Sequence, residues 1–304
     1  EAKISEFLGT EDTILYPSCF DANGGLFETI LTADDAIISD ALNHASIIDG
    51  IRHSSIAKDK RVIFSHRDYD GLELLLKQSD ARCNVIFVES IYSMDGTISN
   101  LTRLNELAVK YRGVIVLDEA HSLGVLSGNG LGLLASTKLP LDNFIGVFTC
   151  GKALAMSGAL VAGPRVIREL IINRSRSFIY STAPSPLVAA SVLMAMKVMV
   201  SADELRSHLM RISSVLKDDL VSAGLNMGES QSHIVPLMMH DNARAIELSK
   251  RLNAQRIVVG AIRPPTVDKD KSRLRISLHA GVLAEDVRTI KHKILSAWAS
   301  MEIK

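Results

Sequence analysis

The sequence predicts an α/β protein with a mostly parallel central sheet and a smaller C-terminal α+β domain. Three observations carry this. Short β-branched apolar runs alternate with stretches of helical spacing through the first two thirds of the chain, the pattern of strands covered by helices on both faces. The pattern changes near Pro184-Ser185-Pro186. The chain also has 304 residues, and roughly 100–200 residues per domain makes two domains the natural division. We place the large domain at residues 1–190 and the small one at 191–304.

Along the chain, Ser18 to Gly25 reads as a loop entering a helix, and Ala36-Ile37-Ile38 as a short apolar run. Val85-Ile86-Phe87-Val88 is a compact buried strand. Leu101 to Tyr111 follows, with apolar residues at 101, 104, 107 and 108, which is helical spacing. Val114-Ile115-Val116-Leu117, Phe144 to Phe148 and Ala159 to Ala162 read as further strands. After Pro186 the chain reads as one long helix to about Ser222, polar on one side. His233 to Met239, Ile257 to Ile262 and Arg273 to Leu278 read as strands, with helices at about 243–254 and 284–301.

Composition narrows the function. Acidic and basic residues balance at 34 each, which points to neither nucleic acid nor an anionic membrane as partner. Cys19, Cys83 and Cys150 show no metal-ligand spacing and no pairing pattern, so we expect no metal and a reduced, cytoplasmic protein. No apolar run is long enough to span a bilayer; Leu187 to Val200 is the longest candidate and is too short. No signal peptide is visible, and the chain begins at Glu1 rather than at Met, so we expect an N-terminal segment ahead of it.

Functional groups of open α/β sheets gather at the carboxyl ends of strands. Asp118 directly follows one apolar run, with His121 three residues on. Lys152 lies just beyond another, in Phe148-Thr149-Cys150-Gly151-Lys152. A pyridine-aldehyde cofactor needs this pair. A buried carboxylate keeps the pyridine nitrogen protonated, and a lysine amine forms the Schiff base and later carries protons. Alone, Asp118 can also be read as a helix cap, and Lys152 reads first as a solvated surface lysine; together they favour pyridoxal 5′-phosphate. The helix start at Ser18 to Gly25 suits a phosphate, and Thr149, Ser181 and Thr182 add hydroxyls. His44, after the run at 36–38, is placed to stack on the ring. Arg273 and Arg275 alternate along one strand, and one of them is a candidate partner of a substrate carboxylate. Plainer readings stay open for each: a helix cap, a structural histidine, an ion-paired edge strand.

Asp118-Glu119-Ala120-His121 also spells the acidic box of a helicase ATPase, and Gly146 to Lys152 has the spacing of a phosphate loop. Ala153 stands where magnesium binding needs Ser or Thr. The order is reversed as well, because in such ATPases the phosphate loop precedes the acidic strand.

Six motifs in order carry a stronger signal: Ser39-Asp40-Ala41-Leu42-Asn43-His44-Ala45-Ser46, Ser93-Met94-Asp95-Gly96, Asp118-Glu119-Ala120-His121, Thr149-Cys150-Gly151-Lys152-Ala153-Leu154, Tyr180-Ser181-Thr182 and Ser272-Arg273-Leu274-Arg275. By these the chain resembles, essentially from end to end, the α-oxoamine synthases of the fold-type I pyridoxal-phosphate transferases, whose fold is aspartate aminotransferase-like. The resemblance implies a Schiff base on Lys152, Asp118 at the pyridine nitrogen and His121 at the phenolic oxygen. It implies His44 over the ring, with the Cys19 and Phe20 amides and Thr149 on the phosphate. It puts Ser181 and Thr182 at the neighbouring subunit's phosphate, Arg275 on the amino-acid carboxylate, and Ser93 and Glu89 near the cofactor. It also implies a homodimer with shared sites, and an amino acid and an acyl thioester as substrates.

Two branches are echoed. Ala261-Ile262-Arg263-Pro264-Pro265-Thr266-Val267 is similar to the 8-amino-7-oxononanoate synthases, which would take alanine and pimeloyl-coenzyme A or pimeloyl-acyl carrier protein for biotin synthesis. Cys19 to Gly25 is similar to the glycine C-acetyltransferases. We favour the first, because its match runs into the carboxylate-binding strand. Two departures stand out: the missing N-terminal segment of the family, and Ala155 where the family has glycine. A non-catalytic subunit is the third reading, and retention of Lys152, Asp118 and His121 argues against it; an inactive truncated homologue stays open as a further alternative.

Overall fold

The structure is a computed structural model, described here for residues 1–302. The chain forms two compact units, one of residues 1–91 and 99–203, the other of residues 92–98 and 204–304.

The first unit is built on strands β1 (Asp12–Tyr16), β2 (Ala36–Asp40), β3 (Arg61–Phe64), β4 (Asn84–Glu89), β5 (Gly113–Asp118), β6 (Phe144–Thr149) and β7 (Ala159–Gly163). They lie in the order β1-β7-β6-β5-β4-β2-β3. The five strands from β3 to β6 pair in parallel, and β7 runs against both its neighbours. The helices of this unit are α1 (Ala2–Leu8), α2 (Cys19–Ile30), α3 (Ala45–His53), α4 (Tyr69–Gln78), α5 (Leu101–Lys110), α6 (Arg165–Arg174), α7 (Arg176–Ile179) and α8 (Pro186–Val200).

Period-two alternation divides the strand side chains between two covered faces. Val85, Phe87, Val116, Ile145, Val147 and Val161 pack with Leu26 and Phe27 of α2. Ile86, Val88, Ile115 and Leu117 pack with Leu72 of α4 and Leu104 and Leu107 of α5. Burial on both faces explains why these strands read as unbroken apolar runs. A third cluster joins Leu160 and Ala162 to Val192, Met196 and Met199 of α8. The boundary expected near residue 190 therefore falls inside α8, and the division lies after Asp203.

Close packing of α3 on α2 depends on Gly50. A Cβ there would stand 2.2 Å from Cδ2 of Phe27, whose ring is stacked on Phe87 at 4.2 Å. Both rings are buried, so neither has room to yield. Gly50→Ala is expected to destabilise the protein by about 1–3 kcal/mol through overpacking, despite alanine's better helix propensity. Urea unfolding checks this; an unchanged midpoint would show that Phe27 can move.

The second unit holds a three-stranded antiparallel sheet of β8 (Ile234–His240), β9 (Gly260–Ile262) and β10 (Ser272–Ser277), in the order β8-β10-β9. Its helices are α9 (Asp203–Ser222), α10 (Asn242–Ala254) and α11 (Ala284–Glu302). Two expectations need correction. The single helix expected from Pro186 to Ser222 is two, because the chain leaves helical geometry at Ser201 and Ala202, where the Ala202 amide turns back to Met199 O. The strand expected from Ile257 is only Gly260–Ile262, because Arg256 takes a left-handed φ of 62° and the Ile257 amide closes the end of α10 on Leu252 O. Among the described residues no single helix is long and apolar enough to cross a membrane.

Candidate active site

Asp118 is the last residue of β5, paired in register with Glu89 of β4 and Val147 of β6. It is buried. Its Oδ1 accepts from the Ala120 amide at 2.9 Å and its Oδ2 from Asn23 Nδ2 at 3.3 Å. The backbone on either side is pinned: Ser90 N donates to Asp118 O at 2.9 Å and Glu119 N to Val147 O at 2.7 Å. His121 lies half-buried on the turn that follows.

Lys152 sits on the loop between β6 and β7 and is exposed. That loop is closed by backbone bonds from Ala155 N to Lys152 O at 3.0 Å, Met156 N to Cys150 O at 2.9 Å and Cys150 N to Gly158 O at 2.9 Å. Ala155, where the sequence departs from its family's glycine, takes a left-handed φ of 52°, a conformation that costs a Cβ-bearing residue about 1–2 kcal/mol. Thr149, half-buried at the end of β6, accepts the Gly151 amide at 3.4 Å.

Helix α2 begins at Cys19, not after Gly25, so the expected loop is mostly helix. Ser18 caps it, accepting from the Asp21 amide at 3.1 Å. The Cys19 and Phe20 amides fall in the first turn, where no intrahelical acceptor exists and the macrodipole favours an anion. His44 caps α3: its Nδ1 accepts from Ser46 N at 3.2 Å and lies 2.8 Å from Ser46 Oγ. An Nδ1 that accepts leaves the ring proton on Nε2.

These groups act on one another electrostatically, which puts them in one place. Burial holds the His44 imidazole below its usual value; Asp118 pulls the other way and Lys152 adds to the lowering. Burial pushes the Cys19 thiol strongly up, helped by Asp118, Cys150 and Glu89 and opposed by Lys152. Cys19, His44, Glu89, Asp118 and Lys152 thus converge at the carboxyl ends of the parallel strands, the expected place for a site in such a sheet.

The other expected residues lie elsewhere. Ser181 and Thr182 are exposed, beside a cavity of about 350 Å³ lined also by Pro17, Phe178 and Pro184. Ser93 and Arg275 belong to the second unit. There the two arginines differ in their partners. Arg273 is buried and bonded to the Asp95 carboxylate and to Met94 O. Arg275 is half-buried, with its Nε on Ser277 Oγ at 3.2 Å, and burial lowers the guanidinium's proton affinity. Among the described residues no carboxylate faces Arg275 in an ion pair. The sequence reading gave no role to Asn23, Ser46, Ser90, Glu119 or Ser122, all buried around Asp118.

The aminotransferase class I and II family profile matches residues 1–294. The chain belongs to that family. Within it, the chain is 36% identical over 291 residues to the 2-amino-3-ketobutyrate coenzyme A ligase of Escherichia coli, covering 94% of this chain and 72% of that enzyme. It is 37% identical over 297 residues to the 8-amino-7-oxononanoate synthase of Cupriavidus taiwanensis, covering 95% and 72%. Among solved structures, Sphingomonas wittichii serine palmitoyltransferase superposes with a TM-score of 0.94 at 28% identity, over 100% of this chain and 76% of that one. The 8-amino-7-oxononanoate synthase of Francisella tularensis gives 0.86 at 28%, over 100% and 87%. This is the fold-type I architecture, and the chain is an α-oxoamine synthase, a pyridoxal-phosphate-dependent acyltransferase. The residues present fit that cofactor. A buried carboxylate has both oxygens held, a helix start offers unengaged amides, a lysine lies on the β6–β7 loop, and buried Asn23 Oδ1 has no partner among the described residues.

Proposed function

We propose that this chain condenses L-alanine with a pimeloyl thioester, carried on coenzyme A or acyl carrier protein, to 8-amino-7-oxononanoate and carbon dioxide in the cytoplasm. The observation that carries the chemistry is the mutual electrostatic action of Asp118, Lys152, His44 and Cys19 at the strand ends. When bound, pyridoxal phosphate supplies an electron-accepting ring and an aldehyde.

The chain's own groups do the rest. Asp118 Oδ2 holds a proton on the pyridine nitrogen. The first-turn amides of Cys19 and Phe20, with Thr149 Oγ1, bind the phosphate. His44, kept neutral by burial, covers one face of the ring without adding charge, and His121 bonds the phenolic oxygen. Lys152 Nζ would hold the cofactor through its aldehyde and, once released, would take the proton from the amino acid's α-carbon. The reaction so served would join that carbon to the thioester carbonyl carbon with loss of the thiol; the original carboxylate would leave as carbon dioxide, and a proton, returned by Lys152 or water, would take its place on the α-carbon. Arg275, without an acidic partner among the described residues, is our candidate to bind the substrate carboxylate. By the family resemblance Glu89 and Ser93 would each serve the cofactor, and Ser181 and Thr182, exposed on this chain, would serve the phosphate of a second subunit in a homodimer.

The choice of alanine rests on Arg263-Pro264-Pro265, which leaves β9 directly after Ile262; Ile262 pairs with Arg273, and Gly260 with Arg275. Glycine with acetyl-coenzyme A is the second reading. It is favoured by residues 19–25 and by the 36% identity to the 2-amino-3-ketobutyrate ligase. Thiol release separates them. With the cofactor added, alanine plus pimeloyl-coenzyme A is expected to exceed glycine plus acetyl-coenzyme A by at least about 100-fold in kcat/KM, because several buried methylenes contribute to the first pair. The reverse ratio would assign the chain to the second reaction.

A further inference from the structure

We propose that Asn23 is a positioning residue of this site: one buried side-chain amide, acting through Ser46, ties the Asp118 carboxylate to the His44 imidazole. Asn23 lies on the second turn of α2, four residues after Cys19, and is 1% exposed. The same short helix therefore offers amides at its start and an amide side chain one turn later.

Proton bookkeeping gives the tie its direction. Asn23 Nδ2 carries two protons, and two oxygens lie before it: Ser46 Oγ at 2.9 Å and Asp118 Oδ2 at 3.3 Å. Ser46 Oγ accepts from Asn23, so its single proton is free for His44 Nδ1, 2.8 Å away. The Ser46 backbone amide points at the same nitrogen. His44 Nδ1 is thereby held as an acceptor. Asp118 is held at both oxygens, by Ala120 N on one side and Asn23 on the other. Turning the amide over would set Asn23 Oδ1 against a carboxylate, so the orientation follows from charge. The consequence is a buried Oδ1 with no partner among the described residues, and an amide end left unpaired in a core calls for use of the other end.

Lys152, Cys19, Cys150 and Glu89 are the other titratable groups that face this cluster. None of them bonds Asn23 Nδ2 except Cys19, whose sulfur is 3.9 Å away. The inference rests on the reading of Asp118 as the pyridine-nitrogen partner, and the test separates the two.

Asn23→Asp keeps the volume and replaces the donor with an acceptor. A packing role would survive it. A donor role would not, and would return at lower pH, where the two facing carboxyls share a proton. The expected result is a Kd for pyridoxal phosphate, by equilibrium dialysis at pH 8, raised at least about tenfold, with the gap to the parent narrowing as pH falls. Ser46→Ala is the second variant. In the cofactor-free protein, followed by nuclear magnetic resonance of labelled histidine, it is expected to move the His44 titration upward, because Nδ1 no longer receives a hydroxyl proton. Parent-like affinity at pH 8 for Asn23→Asp, or an unmoved His44 titration in Ser46→Ala, would overturn the tie. Failure of the parent protein itself to bind the cofactor would overturn the reading of Asp118 instead, and the His44 titration would still decide whether the tie exists.

Discussion

Lys152→Ala is expected to lower turnover at least about a thousandfold, since on the proposed reading it removes both the covalent anchor of the cofactor and the proton carrier, each worth orders of magnitude. Folding should hardly change. The β6–β7 loop is closed by main-chain bonds among Cys150, Lys152, Ala155, Met156 and Gly158, and the side chain is exposed, so the unfolding midpoint should stay within about 0.5 kcal/mol of the parent. Lys152→Arg should be no better than alanine, because a guanidinium neither forms the Schiff base nor releases its proton near neutrality. Thiol release, measured beside urea unfolding, gives both quantities. Turnover within tenfold of the parent would move the chemistry to another amine.

The parts of this site that could be read from the chain share a physical cause. Asp118 and Lys152 each follow an apolar run, and a strand buried on both faces leaves a visible edge where polar residues begin. The parallel core strands were legible for the same reason. Strand β1, which pairs antiparallel to β7, was not, because its five residues start with Asp12-Thr13 and offer no clean run. The break between α8 and α9 was hidden because Ser201-Ala202 carries neither glycine nor proline. Alternation placed Arg273 and Arg275 together, yet could not tell them apart. Asp95, 178 residues from Arg273 in sequence, does so by occupying it. Asn23 and Ser46 likewise matter only because α3 packs closely on α2, a long-range fact that no local period announces. The family resemblance names Asp118, His121, His44 and Lys152 and is silent on the residues bonded to them.

Glu119 shows what that shell does, and its replacement has the largest expected effect on stability. Its carboxylate is wholly buried beside Asp118 and gathers the ends of the loop that carries His121. Leu133 N donates to Oε2 at 2.9 Å and Leu134 N to Oε1 at 2.8 Å, and Ser122 donates to Oε2. Ser90 Oγ, 2.8 Å from Ser122 Oγ and 3.0 Å from Asp118 O, joins this cluster to the site. Gly132 is required for the approach: at its φ of 101°, a Cβ would stand 2.8 Å from Glu119 Oε2. Glu119→Gln keeps the shape but turns one acceptor into a donor that faces donors. We expect a loss of about 2–4 kcal/mol at pH 7, the cost of setting a further donor against the buried Leu133, Leu134 and Ser122 donors, together with faster hydrogen exchange at residues 122–134. The pH dependence has a definite sign. Burial raises the Glu119 carboxyl above the 4.5 of a free glutamate, against the bonds from Ser122, Leu134 and Leu133. A raised folded-state value means that this group's contribution is complete below 4.5 and is lost as pH rises through the folded value. Glutamine has no such titration. The gap between parent and variant should therefore widen as pH falls from neutrality toward 4.5, and urea midpoints at pH 7 and pH 5 measure it. Equal midpoints at both would mean that the loop is held by its own apolar contacts, Leu123 and Leu131 among them, and that the carboxylate is a passenger.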